Sequence, residues 1–552
     1  MEHAALSLDE VTRQTWDVIV VGTGMSGSTL GYALARAGKR VLFCEMGKSQ
    51  LAPEMGLRGN FAESFFDRPA TPSTRHRETL LQAGRYAEEF TDISGPKVRH
   101  EIPFIGCGTG GSSALYGCAM ERFFPADFTP RKNHPHAEES TLPETWPVRY
   151  EEMAPYYEKA EQLYRVRGGI DPCRPDVQTG HLLTPPPLCA ATKEMNNLFT
   201  SNGLHPYRLP QACEFVSGCR GCQGFLCPNN CKNDSTRICL LPALKEHGAC
   251  LLDECEVLRL EAEPDTVTGV VCNLHDQQVT LRGAIVVLAA GALETPRILL
   301  NSASKDWPDG LANESGLVGR NLMRHYMDLY ALLPRIHEGH PGNLKELAFN
   351  DFYLDNGLKL GTVQSFGALP SPEIIVEGME NDLHNGPLSW LVPLFKIGKP
   401  LLRLVLGRVF ARRILFASIM EDLPYLENRV MVPDATKSQQ GSRLLIKYRI
   451  TPREQARIQL FRDRSREVFK PNRFILIKQA ENNERIAHAC GTCRFGRDPG
   501  DSVLNASNRA HGLDNLYVVD ASFFPSSAGT NPALTLAANA LRVADQLLGK
   551  AT

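Results

Sequence analysis

The chain has 552 residues, 43% of them hydrophobic and 22% charged, and carries a formal net charge of −2. That length allows two or more domains of about 100 to 200 residues each, and the ordinary composition excludes a disordered scaffold. The balance of 60 Lys and Arg against 62 Asp and Glu argues against a general nucleic-acid surface.

The N-terminal stretch MEHAALSLDEVTRQTW has acids and no apolar run behind a basic start, so a cytoplasmic location is expected. No run of about 18 residues is free of charge and apolar enough to span a membrane. The first predicted strand, Asp17-Val18-Ile19-Val20-Val21, enters Gly22-Thr23-Gly24-Met25-Ser26-Gly27 and a helical pattern over 28–37. A second strand over 40–44 ends in Glu45, 18 residues after Gly27. Gly22 permits the tight turn, Gly24 lets backbone approach a pyrophosphate, and Gly27 lets helix and strand pack closely. The helix start offers free N–H donors to phosphate, and Glu45 can accept from a ribose hydroxyl, so a dinucleotide site is predicted without separating NAD from FAD.

A second glycine-rich segment, Gly106-Cys107-Gly108-Thr109-Gly110-Gly111-Ser112-Ser113, can crowd backbone N–H groups against a planar or anionic ligand. Standing alone it would read as a surface loop. Next come Cys213, Cys219, Cys222, Cys227 and Cys231 within 19 residues. A chain this long needs no disulfide staples, so reduced packing cysteines or a local disulfide are favoured there over a metal or cluster site. Residues 285–289 form another strand leading to Ala290-Gly291-Ala292, with a helix expected near Thr295 and Pro296 in its first turn.

From about 324 to 485 no further dinucleotide turn occurs, and alternating runs such as Leu444-Leu445-Ile446-Lys447-Tyr448-Arg449-Ile450 predict sheet strands. Within this stretch, 387–419 holds Lys396, Lys399, Arg403, Arg408, Arg412 and Arg413 but no acid. Membrane-surface contact, a partner subunit and a lid are all open for it. Pro393 and Pro400 should break the segment and its arginines spread around the helix, so a buried or lid helix is preferred. At the end of the chain, Leu516-Tyr517-Val518-Val519 runs to Asp520 and Ala521. Asn531 then stands at a predicted N-cap before Pro532 and a helix from 533 to 548.

These motifs, in this order, resemble the glucose–methanol–choline (GMC) flavoprotein oxidoreductases from residue 16 to the C-terminus. The resemblance also covers Pro125-Ala126-Asp127-Phe128, Trp146-Pro147-Val148, Ala289-Ala290-Gly291-Ala292-Leu293-Glu294-Thr295-Pro296 and Gly319-Arg320-Asn321-Leu322-Met323. It extends through Glu421-Asp422-Leu423-Pro424, Glu427-Asn428-Arg429-Val430 and His488-Ala489-Cys490-Gly491-Thr492-Cys493. The bacterial sugar and gluconate dehydrogenase branch is the most similar. Asn301-Ser302-Ala303 departs from the pattern by lacking its usual glycine.

The resemblance implies an α/β fold: a Rossmann-like FAD-binding domain with a sequence-interleaved α+β substrate domain on a mainly antiparallel sheet. The FAD domain would span 12–325, with substrate-domain and lid insertions within 60–210, and return over 488–552; the substrate domain would span 326–487. It places FAD against Gly22, Thr23, Gly24, Gly27, Glu45, Gly110, Gly111, Ser112, Ser113, Val257, Gly291, Asp520, Ala521, Asn531 and Pro532. The C-terminal helix start would face the N1 and O2 edge of the reduced, anionic flavin. Ser113-Ala114-Leu115-Tyr116 has no histidine for covalent attachment, so non-covalent FAD is expected.

The implied reaction oxidises CH–OH, in a sugar, glycoside or polyol, with a hydrophobic alcohol as the alternative. His488 is the expected base and Asn531 the donor to the developing alkoxide. A dehydrogenase is favoured, its acceptor (oxygen, quinone or redox protein) left open. No metal is assigned; some sugar-oxidising relatives carry an iron–sulfur centre, which leaves a cluster on Cys219, Cys222, Cys227 and Cys231 open but disfavoured. The Cys490/Cys493 pair raises a thiol–disulfide flavoprotein as a rival, disfavoured because His488 and Asn531 are both present.

Overall fold

The computed structural model describes residues 8–66, 74–174, 181–336, 345–355, 357–367, 372–385, 388–410, 412–433, 443–482 and 488–550. The β-branched run becomes the strand Thr15–Val21, flanked in parallel by Val41–Cys44 and Gln277–Leu288, with Val18 opposite Val41 on one side and Ile285 on the other. Cys250–Leu252 extends the sheet beyond Val41–Cys44, and Leu516–Val518 closes the other edge. Val18 to Val21 are all buried, as expected where helices cover both faces of a parallel sheet. Helices Met25–Arg36 and Ala533–Leu547 share one core with it, through Leu30, Leu34, Ala540 and Val543 against Val18, Val20 and Val287. Gln277–Leu288 serves twice, since its first half pairs antiparallel with Val267–Leu274, which in turn pairs with Cys255–Ala262.

A second sheet of six strands is antiparallel throughout, in the order Ile475–Lys478, Tyr326–Leu332, Ile414–Met420, Gly361–Ser365, Leu347–Phe349, Tyr207–Arg208. Helices Ala190–Ser201 and Pro452–Phe469 pack on it through Met195, Phe199, Ile458, Phe461 and Phe469. A strand and a helix from before residue 210 are thus built into the later sheet. The alternating 444–450 run yields the strand Leu445–Lys447, but in a separate four-stranded sheet with Arg429–Met431, Phe90–Asp92 and Arg99–Glu101. The fold is therefore α/β, with a Rossmann-like sheet beside a mainly antiparallel one.

Three local expectations are corrected. The helix after Ala290 starts at Gly291, not near Thr295, and Pro296 lies inside it. Proline removes the N–H that would bond the Ala292 carbonyl, and the Thr492 hydroxyl fills that vacancy at 2.8 Å. Asn531 does not cap the last helix: its boundary residue is Pro532, with no side-chain cap bond, because the Asn531 carboxamide is engaged by the second sheet. Finally, Pro393 and Pro400 do not break the basic segment, which forms one helix, Val392–Phe410, and that helix is not buried: one face lies open to solvent. Pro387 and Ala411 of that segment lie outside the described residues. Among the described residues no helix is long and apolar enough to cross a membrane.

Candidate active site

The first glycine turn is built by steric necessity. Gly22 has φ +99°, and a Cβ there would lie 2.4 Å from the Ala289 carbonyl oxygen. A Cβ on Gly27 would lie 2.1 Å from the Gly22 carbonyl oxygen, so helix and strand touch here as the sequence requires. Gly24 faces open space, and the helix it precedes has no side-chain cap, which leaves its first N–H groups as donors. The second glycine segment folds onto this turn: Gly110 has φ +87° and starts the short helix Gly111–Leu115, with Gly111 packed against the Gly24 backbone.

Glu45 ties the two loops together. One of its oxygens accepts from the Thr23 N–H at 3.0 Å and the Thr23 hydroxyl at 2.6 Å; the other accepts from the N–H groups of Gly47 and Gly108, both at 3.0 Å. Burial outweighs these donors and raises its carboxyl above the ordinary value. Ser113 bonds the Gly110 carbonyl at 2.7 Å and the Ser235 hydroxyl at 2.9 Å, while the Ser112 hydroxyl accepts from the Gly106 N–H at 3.0 Å. Asp520 binds the Gly291 N–H at 3.0 Å and the Thr295 hydroxyl at 2.6 Å, and its other oxygen takes the Ser522 N–H; the turn Ala521–Phe523 follows. Val257 is buried in the core, its carbonyl accepting from Arg297 at 2.9 Å.

The open space at Gly24, the uncapped helix start, and the buried Ser26 and Thr236 hydroxyls, which have no partner among the described residues, suit an anionic phosphate ligand. The sequence reading missed Ser235 and Thr236. Their signal was the polar run Asn233-Asp234-Ser235-Thr236 directly before a helical stretch.

A backbone bridge pairs Met323 with Cys490, at 2.9 and 3.0 Å. In an antiparallel pair, the residue two after one partner faces the residue two before the other, which sets His325 opposite His488. Their Nδ1 atoms lie 2.8 Å apart and the rings stand edge to face at 82°. His325 Nε2 sits 3.1 Å from the carbonyl oxygens of both Ser527 and Ala528. Burial pushes the His325 pKa down to about 4, and His488 is held well below its ordinary value by burial, by His325 and by Lys345. His488 adopts φ +58°, a backbone strain of the kind found at functional sites. Gln364 donates to Asn531 Oδ1 at 2.7 Å, and among the described residues Asn531 Nδ2 has no partner. His325 escaped the sequence reading although it stands two residues beyond Met323, the last residue of the 319–323 motif. Gln364 had no sequence signal.

The cysteine segment supports the second loop: Lys232, 2% exposed, donates to the carbonyls of Ala114 at 2.8 Å and Phe225 at 3.3 Å. The thiols that converge closely enough to hold an ion are Cys213, Cys219 and Cys231, which differs from the set Cys219, Cys222, Cys227 and Cys231. Cys227 lies 3.6 Å from Cys231. Cys490 and Cys493 are buried and their thiols are pushed up by burial, the opposite of what a reactive thiol needs.

Two family models, each described as GMC oxidoreductase, match residues 200–327 and 424–540. The chain is 28% identical to paromamine 6'-oxidase of Streptomyces fradiae, over 97% of this chain and 92% of that one. It is 26% identical to 2-methyl-1,2-propanediol dehydrogenase of Mycolicibacterium austroafricanum, over 96% and 95%. Among solved structures, pyridoxine 4-oxidase from Mesorbium loti superposes with a TM-score of 0.63 at 20% identity, covering 98% of this chain and all of that one, a likeness of fold. With the glycine turns and the family motifs in place, the chain belongs to the GMC oxidoreductases, a family of flavoproteins, and is an alcohol oxidoreductase.

Proposed function

We propose that the chain is a dehydrogenase that binds FAD non-covalently and oxidises a CH–OH group of a sugar, glycoside or polyol to a carbonyl, with His488 as base. The observation that carries this reading is the hydrogen-bond order of the histidine pair. Among the described residues His325 Nε2 faces only carbonyl oxygens, so it bears a proton. With its pKa lowered to about 4, His325 is neutral near pH 7 and its Nδ1 is an acceptor. His488 Nδ1 must then be the donor across the 2.8 Å contact, which leaves His488 Nε2 with a bare lone pair to take the substrate hydroxyl proton. Asn531, its oxygen held by Gln364, points its Nδ2 donor at the oxygen that becomes negative. FAD, held by the two glycine loops and the 520–521 turn, supplies the hydride acceptor. The missing histidine in 113–116 supports non-covalent binding, and likeness to sugar-type and diol-oxidising relatives supports the substrate class.

The test is the anaerobic absorption spectrum of the purified holoenzyme with sugars, polyols and aliphatic alcohols. Bleaching of flavin bands by a sugar or polyol, persisting in air, is expected. Bleaching by aliphatic alcohols alone would move the substrate to the hydrophobic class, the second reading, which the exposed apolar helix 392–410 favours. Rapid return of the bands in air would make the enzyme an oxidase.

His325 acts as a positioning residue in this scheme. His325→Leu removes the acceptor that fixes the His488 tautomer and should lower kcat about 10- to 100-fold with little change in KM. His325→Gln can donate to the Ser527 and Ala528 carbonyls and accept from His488, so it should restore most of the rate. Equal losses in both variants would sink the tautomer argument.

A further inference from the structure

We propose that helix Val392–Phe410, with the turn before it, rests on the surface of an anionic phospholipid bilayer. Trp390, Leu394, Ile397, Leu401, Leu404 and Val405 recur at helical spacing and are 46 to 79% exposed, so they form one apolar stripe open to solvent. At about 1.5 Å per residue the 19-residue helix runs about 28 Å. The inner side is already occupied: Phe410 packs against Ala331 and Leu415, with Leu406 alongside, and Lys399 pairs with Glu380 of the neighbouring helix Pro372–Asn385. The stripe therefore has no partner within the described residues, unlike isolated surface leucines, which need no explanation.

Charge selects the occupant. Arg408, exposed on the stripe's C-terminal end, and the exposed Arg412 beyond it supply positive charge, while Lys396, 62% exposed, turns towards the inner side, 3.8 Å from Glu380, and no acidic residue occurs between 388 and 413. Apolar side chains at the acyl boundary with cations at the phosphate level is the arrangement of a surface-bound amphipathic helix. Trp390 suits the interface. A second copy of this chain is a poorer fit: Arg408 stands on the stripe at helical spacing from Leu401 and Leu404, and an antiparallel seam about Leu401 would bury it with no acid opposite, since none occurs between 388 and 413.

The holoenzyme itself provides the probe. Trp16, Trp146 and Trp307 are 2 to 4% exposed, whereas Trp390 is 71% exposed, so a change in tryptophan emission on vesicles reports this helix. Vesicles of phosphatidylcholine containing phosphatidylglycerol should sediment the enzyme and shift its emission to the blue, and added salt should weaken both effects. Vesicles of phosphatidylcholine alone should bind it less. A variant carrying Leu394→Gln, Ile397→Gln and Leu401→Gln should lose more than about tenfold in vesicle affinity while keeping its flavin spectrum. Three results would each overturn the proposal: no sedimentation with either vesicle, equal binding to both, or a doubled mass by light scattering that the triple variant abolishes.

Discussion

His488→Ala is expected to abolish reduction of the bound flavin by substrate, by about 10²- to 10⁴-fold in kcat, while the protein still purifies with FAD. The separation follows from position: the loops assigned to FAD are anchored by Glu45, Ser113 and Asp520, and none of those bonds involves His488. Stopped-flow reduction under anaerobic conditions measures the effect, and a variant within threefold of the parent rate would remove His488 from the role of base. The pH profile gives an independent reading. A base works only when neutral, and His488 is held below 6.5 by burial, His325 and Lys345. As pH falls from 7, the neutral form persists past the point at which an exposed imidazole would be protonated, so the acid limb of kcat/KM should lie below pH 6.5. An acid limb above that value would contradict the half-buried, paired environment.

The parts legible in the sequence were those governed by chain neighbours. Gly22 and Gly27 are dictated by contacts within the turn and the adjoining strand, so spacing alone exposed them. The parallel sheet was legible because four consecutive valines and isoleucines, buried on both faces, have few other uses. Pairings across long separations were not. His325 meets His488 across 163 positions, and Gln364 meets Asn531 across 167; neither partner sits in a local pattern that announces the other. Asn531 was read as a helix cap because Asn before Pro fits that role locally, but the antiparallel sheet offered its carboxamide a buried donor instead. Pro296 misled for the same reason: a hydroxyl nearly two hundred residues away made an interior proline tolerable. The outer face of Val392–Phe410 was misjudged because helical periodicity marks an apolar stripe without saying what covers it.

Asp127, noticed only as part of a family motif, has a physical task that yields the second large effect: Lys359→Met should destabilise the protein by about 3 to 5 kcal/mol. The Lys359 ammonium pairs with Asp127 and, at 2.8 Å, with Glu421, and all three side chains are fully buried. They join the turn Pro125–Phe128 to the antiparallel sheet, so the ion cluster stitches the two halves of the fold. Burial alone would lower the Lys359 pKa, but Asp127 and Glu421 overcome it and hold the amine protonated. Glu421 is kept ionised against burial chiefly by Lys359, while His134, pushed down to about 4 by burial, is neutral and gives Glu421 a hydrogen bond at 2.8 Å but no charge. Removing the lysine leaves two carboxyls in a dry interior: burial already raises that of Asp127, and without the lysine's opposing charge it takes up a proton, whereas Glu421 is stranded as an anion. Replacing Glu421 with Gln in the same molecule removes the stranded charge, and Lys359→Met/Glu421→Gln should recover most of the loss. The damage should also reach the active site, because Tyr353 donates to Asp127 at 2.8 Å and accepts from the Gly529 N–H at 2.9 Å, two residues before Asn531. Urea unfolding followed by circular dichroism, with FAD retained on gel filtration as a second readout, measures both effects. A single variant as stable as the parent, or a double variant no better than the single, would show that this cluster does not hold the halves together electrostatically.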